Sequence, residues 1–239
     1  MTTMKISVVV PTYNLGPYVN ALLQNLAKQT VDFELWLVDD GSTDKTATQI
    51  SQFVKGIPNF YAIQLEHNGV SVARNYGLSH ATGAGIAFID GDDLIAPTFV
   101  EALSQGLDQD AVMAAVGYEW YRRPVTQADS FIELDQASMF DQVTQHGSEV
   151  GGYVWNKAFR AAAIKAVNLT FDESLHLAED YLFTASFVAH TPGKYVYLPH
   201  VLYTKRNRPN STLHMTDRSD RREEDRVFDH IYDLRRFIE

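Results

Sequence analysis

The sequence predicts an α/β fold, a mostly parallel sheet flanked by helices with an amphipathic helix at its C-terminal end, on three observations. Short apolar, β-branched runs alternate with helical patterns through the first half of the chain, and that order implies parallel strands joined by right-handed crossovers. The runs end abruptly in loops of Asp, Gly, Ser and Asn, where open α/β sheets collect their ligand-binding groups. Residues 217–239 are densely charged, yet Val227, Phe228, Ile231, Leu234 and Phe237 recur on one helical face.

Taken in order, the first strand falls at residues 6–10, an apolar run stopped by Pro11. It is far shorter than the roughly 20 residues of a bilayer span, so it reads as a strand and not as a leader. Residues 17–28 carry Val19, Leu22, Leu23 and Leu26 at helical spacing behind Pro17, a good first-turn residue. A strand at 33–38 precedes a helix at 44–54, whose start follows the capping types Ser42 and Thr43. Residues 60–65 give a third strand, 70–80 a helix closed by Gly83, and 86–89 a fourth strand. Beyond Pro97 a helix is expected near 98–107, a strand near 111–121, a helix at 179–189 and a strand at 195–203. Residues 122–149 are polar and irregular and receive no assignment. The expected organisation is one domain over 1–212, divided near residue 110, and a charged helical tail over 213–239.

Composition narrows the function classes. A length of 239 residues and a 45% hydrophobic content suit a globular protein with a sizeable core. A formal net charge of -10 disfavours nucleic acid or an anionic membrane as a broad partner, since both require a basic face. Without cysteine there are no disulfides, thiolate metal sites or cysteine nucleophiles. The expectation is a cytoplasmic protein, with contact at the inner face of a membrane or within a homo-oligomer left open through residues 217–239.

The densest chemistry lies where Ile86-Ala87-Phe88-Ile89 runs into Asp90-Gly91-Asp92-Asp93. Carboxylates this close repel one another unless a cation or shared protons neutralise them, and oxygen-only ligation suits Mg²⁺ or Mn²⁺. An ordinary Asp-Gly turn is the competing reading. Val10-Pro11-Thr12-Tyr13-Asn14 ends the first strand with an aromatic and small polar groups able to stack on a base and hydrogen-bond it. Asp39 and Asp40 end the second strand, where one carboxylate could accept from a base and the other cap the next helix. Arg74 sits one turn inside the helix that follows Gly69, and a helix start with a guanidinium favours anions.

Together these segments resemble glycosyltransferase family 2, the inverting enzymes with the A-type nucleotide-sugar fold. The resemblance rests on Val8-Val9-Val10-Pro11-Thr12-Tyr13-Asn14, Val38-Asp39-Asp40-Gly41-Ser42-Thr43-Asp44, Ala73-Arg74-Asn75 and Phe88-Ile89-Asp90-Gly91-Asp92-Asp93. It covers roughly residues 5–212. It implies a Rossmann-like GT-A domain whose first half binds the nucleotide sugar and whose second half faces the acceptor. Pro11, Thr12, Tyr13, Asn14, Asp39 or Asp40, and Arg74 would surround the nucleotide. Asp90, Gly91 and Asp92 would form the Asp-x-Asp motif, with Asp92 on the metal, Asp90 shared between ribose and metal, and Asp93 in support.

In the second half, Trp155 could stack on a sugar and Lys157 meet phosphate or acceptor, with a plain core position as the alternative for Trp155; the resemblance to a family Trp-Asn-Lys segment at Trp155-Asn156-Lys157 favours the site. Glu179-Asp180 matches the family's acid pair, so Asp180 is the expected catalytic base with Glu179 beside it. A helix start favours the ionised carboxylate, so Asp180 needs burial or Glu179 to raise its pKa. In the cationic stretch 200–211, Arg206 and Ser211 are carried over to the diphosphate, while Lys205 and Arg208 add charge. His200 is a candidate metal ligand, with a structural role as the alternative.

The implied activity is inverting transfer from a nucleoside-diphosphate sugar, UDP favoured, to a glycan, lipid-linked or small-molecule hydroxyl with Mn²⁺ or Mg²⁺. Bacterial-type polysaccharide or glycoconjugate synthesis is the setting it suggests. The alternatives are a catalytically silent nucleotide-sugar or glycan-binding domain of a larger assembly, and a phosphatase using Asp90 as nucleophile. Against the phosphatase, these acids follow the fourth strand and not the first.

Overall fold

A computed structural model describes residues 4–120, 128–145, 147–207 and 218–238. Its first half follows the expected alternation. Strands β1 (Ile6–Thr12), β2 (Glu34–Asp39), β3 (Phe60–Gln64) and β4 (Gly85–Phe88) are separated by helices α1 (Tyr18–Leu26), α2 (Thr46–Val54) and α3 (Val70–His80). Strand β5 (Leu94–Ile95) and helix α4 (Phe99–Asp108) lead to β6 (Ala111–Glu119). Then come β7 (Ile132–Leu134), α5 (Gln136–Thr144), β8 (Lys157–Arg160), α6 (Ala161–Ala166), α7 (Glu179–His190) and β9 (Lys194–Thr204). Helix α8 (Arg218–Asp233) ends in a 3-10 turn over Leu234–Phe237.

The strands form one sheet of nine in the order β3-β2-β1-β4-β8-β6-β9-β5, with β7 pairing β9. It is parallel from β3 to β4. Beyond β4 it is mixed, because β8 runs antiparallel to both neighbours while β6 and β9 run parallel. The difference from the first half lies in β8, which enters between β4 and β6 running against both.

Both faces of β1, β2 and β4 are covered, which explains why the middle of each of these strands is a continuous apolar run. In β1, Val8 and Val10 face a layer with α1 and α4, while Val9 faces the layer of α3, α5 and α7. In β4, Ala87 faces the first layer, and Ile86 and Phe88 face the second. Gly77 of α3 lets that helix lie against β1, since a Cβ there would meet Val9 Cγ1 at 2.3 Å.

Two elements lie within the stretch left unassigned. Asp135 caps α5 by accepting from the Ser138 N–H at 2.8 Å, and Met139, Phe140 and Val143 carry the buried face. The tail's apolar stripe has a partner on its own domain: Val227, Ile231 and Leu234 are buried in the layer of α7. Phe228 meets Tyr181 edge-on at 5.3 Å, and Phe237 meets His190 at 4.7 Å. No helix among the described residues is long and apolar enough to cross a membrane.

Candidate active site

The C-terminal ends of β1, β2 and β4 meet at one edge of the sheet. Parallel register sets Thr12 beside Asp39, and the Thr12 hydroxyl donates to Asp39 Oδ1 at 3.0 Å. The same carboxylate accepts from the Ser42 N–H at 2.8 Å and hydroxyl at 2.6 Å. Ser42 in turn accepts the Asn14 N–H at 2.8 Å, and Asn14 Oδ1 accepts the Thr43 N–H at 2.8 Å. Ser42 therefore pins the loops after β1 and β2 together, and α2 begins beyond it at Thr46. Pro11 is buried at the end of β1, and Tyr13 stands exposed at the rim.

Asp40 is committed elsewhere. Its carboxylate accepts from the Asn68 and Gly69 N–H groups at 2.8 and 2.9 Å, fixing the entry to α3. Gly69 there takes φ 99°, ψ 165°, a conformation available essentially to glycine alone. Asp40 Oδ2 also holds His67 Nδ1 at 2.8 Å, and the His67 ring stacks on Tyr13 at 4.1 Å with an interplanar angle of 10°. His67 was missed in the sequence because it carries no motif of its own; its partners come from the ends of β1 and β2.

Asp90, Asp92 and Asp93 gather after β4, each offering an oxygen within 4.8 Å of the others. Gly91 permits the turn: a Cβ there would lie 2.5 Å from Leu15 Cδ1 and 2.9 Å from the Pro11 carbonyl oxygen. Asp90 Oδ1 accepts from Arg74 at 3.0 Å and Oδ2 from Lys205 at 2.9 Å. Desolvation opposes its charge, but Lys205 and Arg74 outweigh it and hold Asp90 ionised, below the usual carboxylate range. Asp93 is fully buried, accepting from the Tyr203 hydroxyl at 2.5 Å, Lys205 at 3.1 Å and the Arg206 N–H at 2.8 Å. Burial, with Asp90 and Asp92 beside it, raises its pKa despite Lys205. Arg206 locks this turn from the other side, through the Asp92 carbonyl and the Tyr18 carbonyl, the latter at 2.9 Å.

Arg74 joins this cluster to α7. One guanidinium nitrogen holds Asp90 and the other Glu179 Oε1 at 2.6 Å, with the group 5.3 Å over the Phe171 ring. Asp180 is half-buried, its Oδ1 accepting the Tyr181 N–H at 2.8 Å. Desolvation and the adjacent Glu179 raise its pKa to about 7, against the lowering effect of Arg74. The opposing pull of the helix start is thus overcome. Ala178, just ahead of the pair, sits in the left-handed region at φ 59°. Such a conformation in a non-glycine residue costs roughly 1–3 kcal/mol and persists only where the surroundings impose it.

Three expectations are corrected. Trp155 does not offer a face to a sugar: it is 1% exposed and sandwiched between Tyr153 at 4.7 Å and Tyr203 at 4.5 Å. Lys157 does not present a free ammonium to a phosphate; it is buried on the Val150 and Tyr153 carbonyls and Asn156 Oδ1 at 3.1, 2.6 and 2.7 Å. Burial pushes its pKa well down. His200 lies outside the acidic cluster and pairs with Asp129 at 3.2 Å. Arg208 and Ser211 lie outside the described residues. Tyr203 escaped notice in the sequence because it reads as one more apolar position of a strand.

The family model described as Glycosyl transferase family 2 matches residues 7–167. The chain is 29% identical over 215 residues to the uncharacterized glycosyltransferase EpsJ of Bacillus subtilis (strain 168), covering 86% of this chain and 62% of that protein. It is 33% identical over 193 residues to the poly(ribitol-phosphate) beta-N-acetylglucosaminyltransferase TarS of Staphylococcus aureus (strain Mu50 / ATCC 700699), covering 76% of this chain and 32% of TarS. The crystal structure of S. aureus TarS 1-349 in complex with UDP-GlcNAc superposes with a TM-score of 0.76 at 28% identity, over 90% of this chain and 62% of that one. The chain thus spans about three fifths of the length of curated relatives such as EpsJ.

Proposed function

The chain belongs to glycosyltransferase family 2, and from that membership we propose that it moves a sugar from a nucleoside-diphosphate sugar to an acceptor hydroxyl with inversion. UDP is the favoured nucleotide because TarS, similar in sequence and fold, binds UDP-GlcNAc. A glycan or lipid-linked acceptor in polysaccharide or glycoconjugate synthesis is the setting that its relatives suggest.

The observation that carries the reading is the opposite treatment of two carboxylates either side of Arg74. Asp90 is held ionised by Lys205 and Arg74, whereas Asp180 is raised to about 7 by desolvation and Glu179. Titratable groups pushed apart by their environments mark separate ligand and acid–base duties.

Asp90, Asp92 and Asp93 fit a divalent metal, being hard oxygen donors within 4.8 Å of one another. Asp90 and Asp92 would hold Mn²⁺ or Mg²⁺, and Asp93 would brace them from the Tyr203 side. A cation bound there withdraws charge from the departing diphosphate. Tyr13, exposed at the rim and backed by His67, would carry the nucleotide base, while Thr12, Asn14 and Asp39 hold the loop beneath it. Asp180 accepts the proton of the acceptor hydroxyl. The hydroxyl oxygen bonds to the anomeric carbon on the face opposite the breaking carbon–oxygen bond, and the bonding pair leaves with the nucleoside diphosphate. Glu179, fixed by Arg74, keeps Asp180 basic.

The test is turnover of UDP- and GDP-sugars with Mn²⁺, with Mg²⁺ and with chelator. Activity of the same size in chelator contradicts the metal assignment. Tight nucleotide binding without hydrolysis or transfer to any acceptor pool favours the silent binding domain instead.

A further inference from the structure

Each carboxylate oxygen of Asp90 and Asp93 already meets a protein donor. Asp90 gives one oxygen to Arg74 and the other to Lys205. Asp93 gives one to the Arg206 N–H, and the other to both Tyr203 and Lys205. A divalent cation entering on these carboxylates competes with those donors for oxygen lone pairs and for the negative charge.

The donors differ in how easily they yield. Arg74 is 3% exposed, clamped between Asp90 and Glu179 and laid over Phe171. Tyr203 is fully buried beneath Trp155. The Arg206 donor is main chain. Lys205 alone among these donors is a flexible point charge at the cleft side, with its side chain 15% exposed. Its backbone is pinned, the N–H donating to the Glu119 carbonyl at 2.9 Å, so the ammonium can swing while the strand end stays in place.

We propose that Lys205 is a resident counter-cation of the Asp90–Asp93 cluster that makes divalent-cation binding conditional on the donor diphosphate. The inference rests on the metal and donor roles proposed above. Without nucleotide, the ammonium neutralises Asp90 and Asp93 and repels a second cation. A diphosphate adds negative charge beside the cluster, so Lys205 can turn to a phosphate oxygen and release carboxylate oxygens to the metal. Metal and nucleotide then strengthen one another, and by linkage the effect is reciprocal.

The experiment titrates Mn²⁺ into the full chain, following the free ion by electron paramagnetic resonance, alone and with UDP or GDP, while circular dichroism reports folding. In the wild type, Mn²⁺ alone should bind weakly and UDP should tighten it by about tenfold or more, within the usual range for coupled sites. In Lys205→Met, Mn²⁺ alone should bind tighter, and the nucleotide effect should shrink to about threefold or less. Lys205→Gln serves the same purpose if the Met variant does not fold, and Lys205→Arg should keep the wild-type pattern. Unchanged Mn²⁺ affinity and nucleotide effect in a folded, charge-removed variant overturn the role of Lys205 and leave the metal site standing. No Mn²⁺ binding to wild type with either nucleotide overturns the metal assignment itself, and this inference with it.

Discussion

Arg74 and Glu179 stand 105 residues apart in the chain, yet the guanidinium of one meets the carboxylate of the other at 2.6 Å in a buried contact. Because Arg74 also holds Asp90 at 3.0 Å, a single side chain ties the acids after β4 to the acid pair at the start of α7. The tie spans the two groups of acids through one buried guanidinium.

Arg74→Met should therefore act twice. Breaking a buried ion pair from one side costs about 3–5 kcal/mol, to be read from the urea midpoint. The Arg74 charge also lowers the Asp180 pKa, so its loss should move the acid limb of the rate profile to higher pH. A variant that loses stability but keeps the wild-type profile would separate Arg74 from the acid pair.

The pH dependence has a definite sign. Asp180 acts as a base only when ionised, and its pKa is raised to about 7, so kcat/KM should rise with pH through about 7. The same shift bears on stability. A carboxyl whose folded pKa exceeds its unfolded value binds more protons when folded, so stability is lost as pH rises between the ordinary aspartate value and about 7. Asp180→Asn should melt higher than wild type at pH 8, with the gap closing towards pH 4, as differential scanning calorimetry can show.

Trp155→Phe should lower the melting temperature, by roughly 1–3 kcal/mol of stability, because both faces of the indole are stacked. The donor KM should stay within about twofold, since the ring packs in the core. A large rise in KM at unchanged stability would return Trp155 to the sugar site.

Gly91→Ala adds a Cβ 2.9 Å from the Pro11 carbonyl oxygen, a main-chain atom with little room to yield. The expected cost is about 1–3 kcal/mol of overpacking. Isothermal titration should show weaker Mn²⁺–UDP binding, because the turn carrying Asp90 and Asp92 is displaced.

The early strands and the loop acids were legible in the sequence for a physical reason. Doubly covered parallel strands are continuous apolar runs, and the chain must leave each at the same sheet edge. Asp90 and Asp92 could thus be placed at the end of their strand, while Glu179 and Asp180, which open a helix, were singled out by the family resemblance. The partners that decide each role could not. Trp155 reads as a sugar platform until Tyr153 and Tyr203 close over its faces, and Lys157 reads as a phosphate ligand until carbonyls of its own loop enclose it. Strand β7 gave little signal because it pairs on one side only and Ile132 is 40% exposed. Helix α5 did carry one, in Asp135 followed by Met139, Phe140 and Val143, obscured by its polar flanks.

The central claim is a division of labour, with Asp90 and Asp92 holding the donor and Asp180 taking the acceptor proton. It is tested most directly by measuring UDP affinity with Mn²⁺ and single-turnover transfer in Asp180→Asn beside wild type. UDP affinity should stay within about twofold while transfer falls by about 10²–10⁴-fold, the range for a lost general base. Transfer at the wild-type rate in Asp180→Asn, with the donor bound as before, would contradict it.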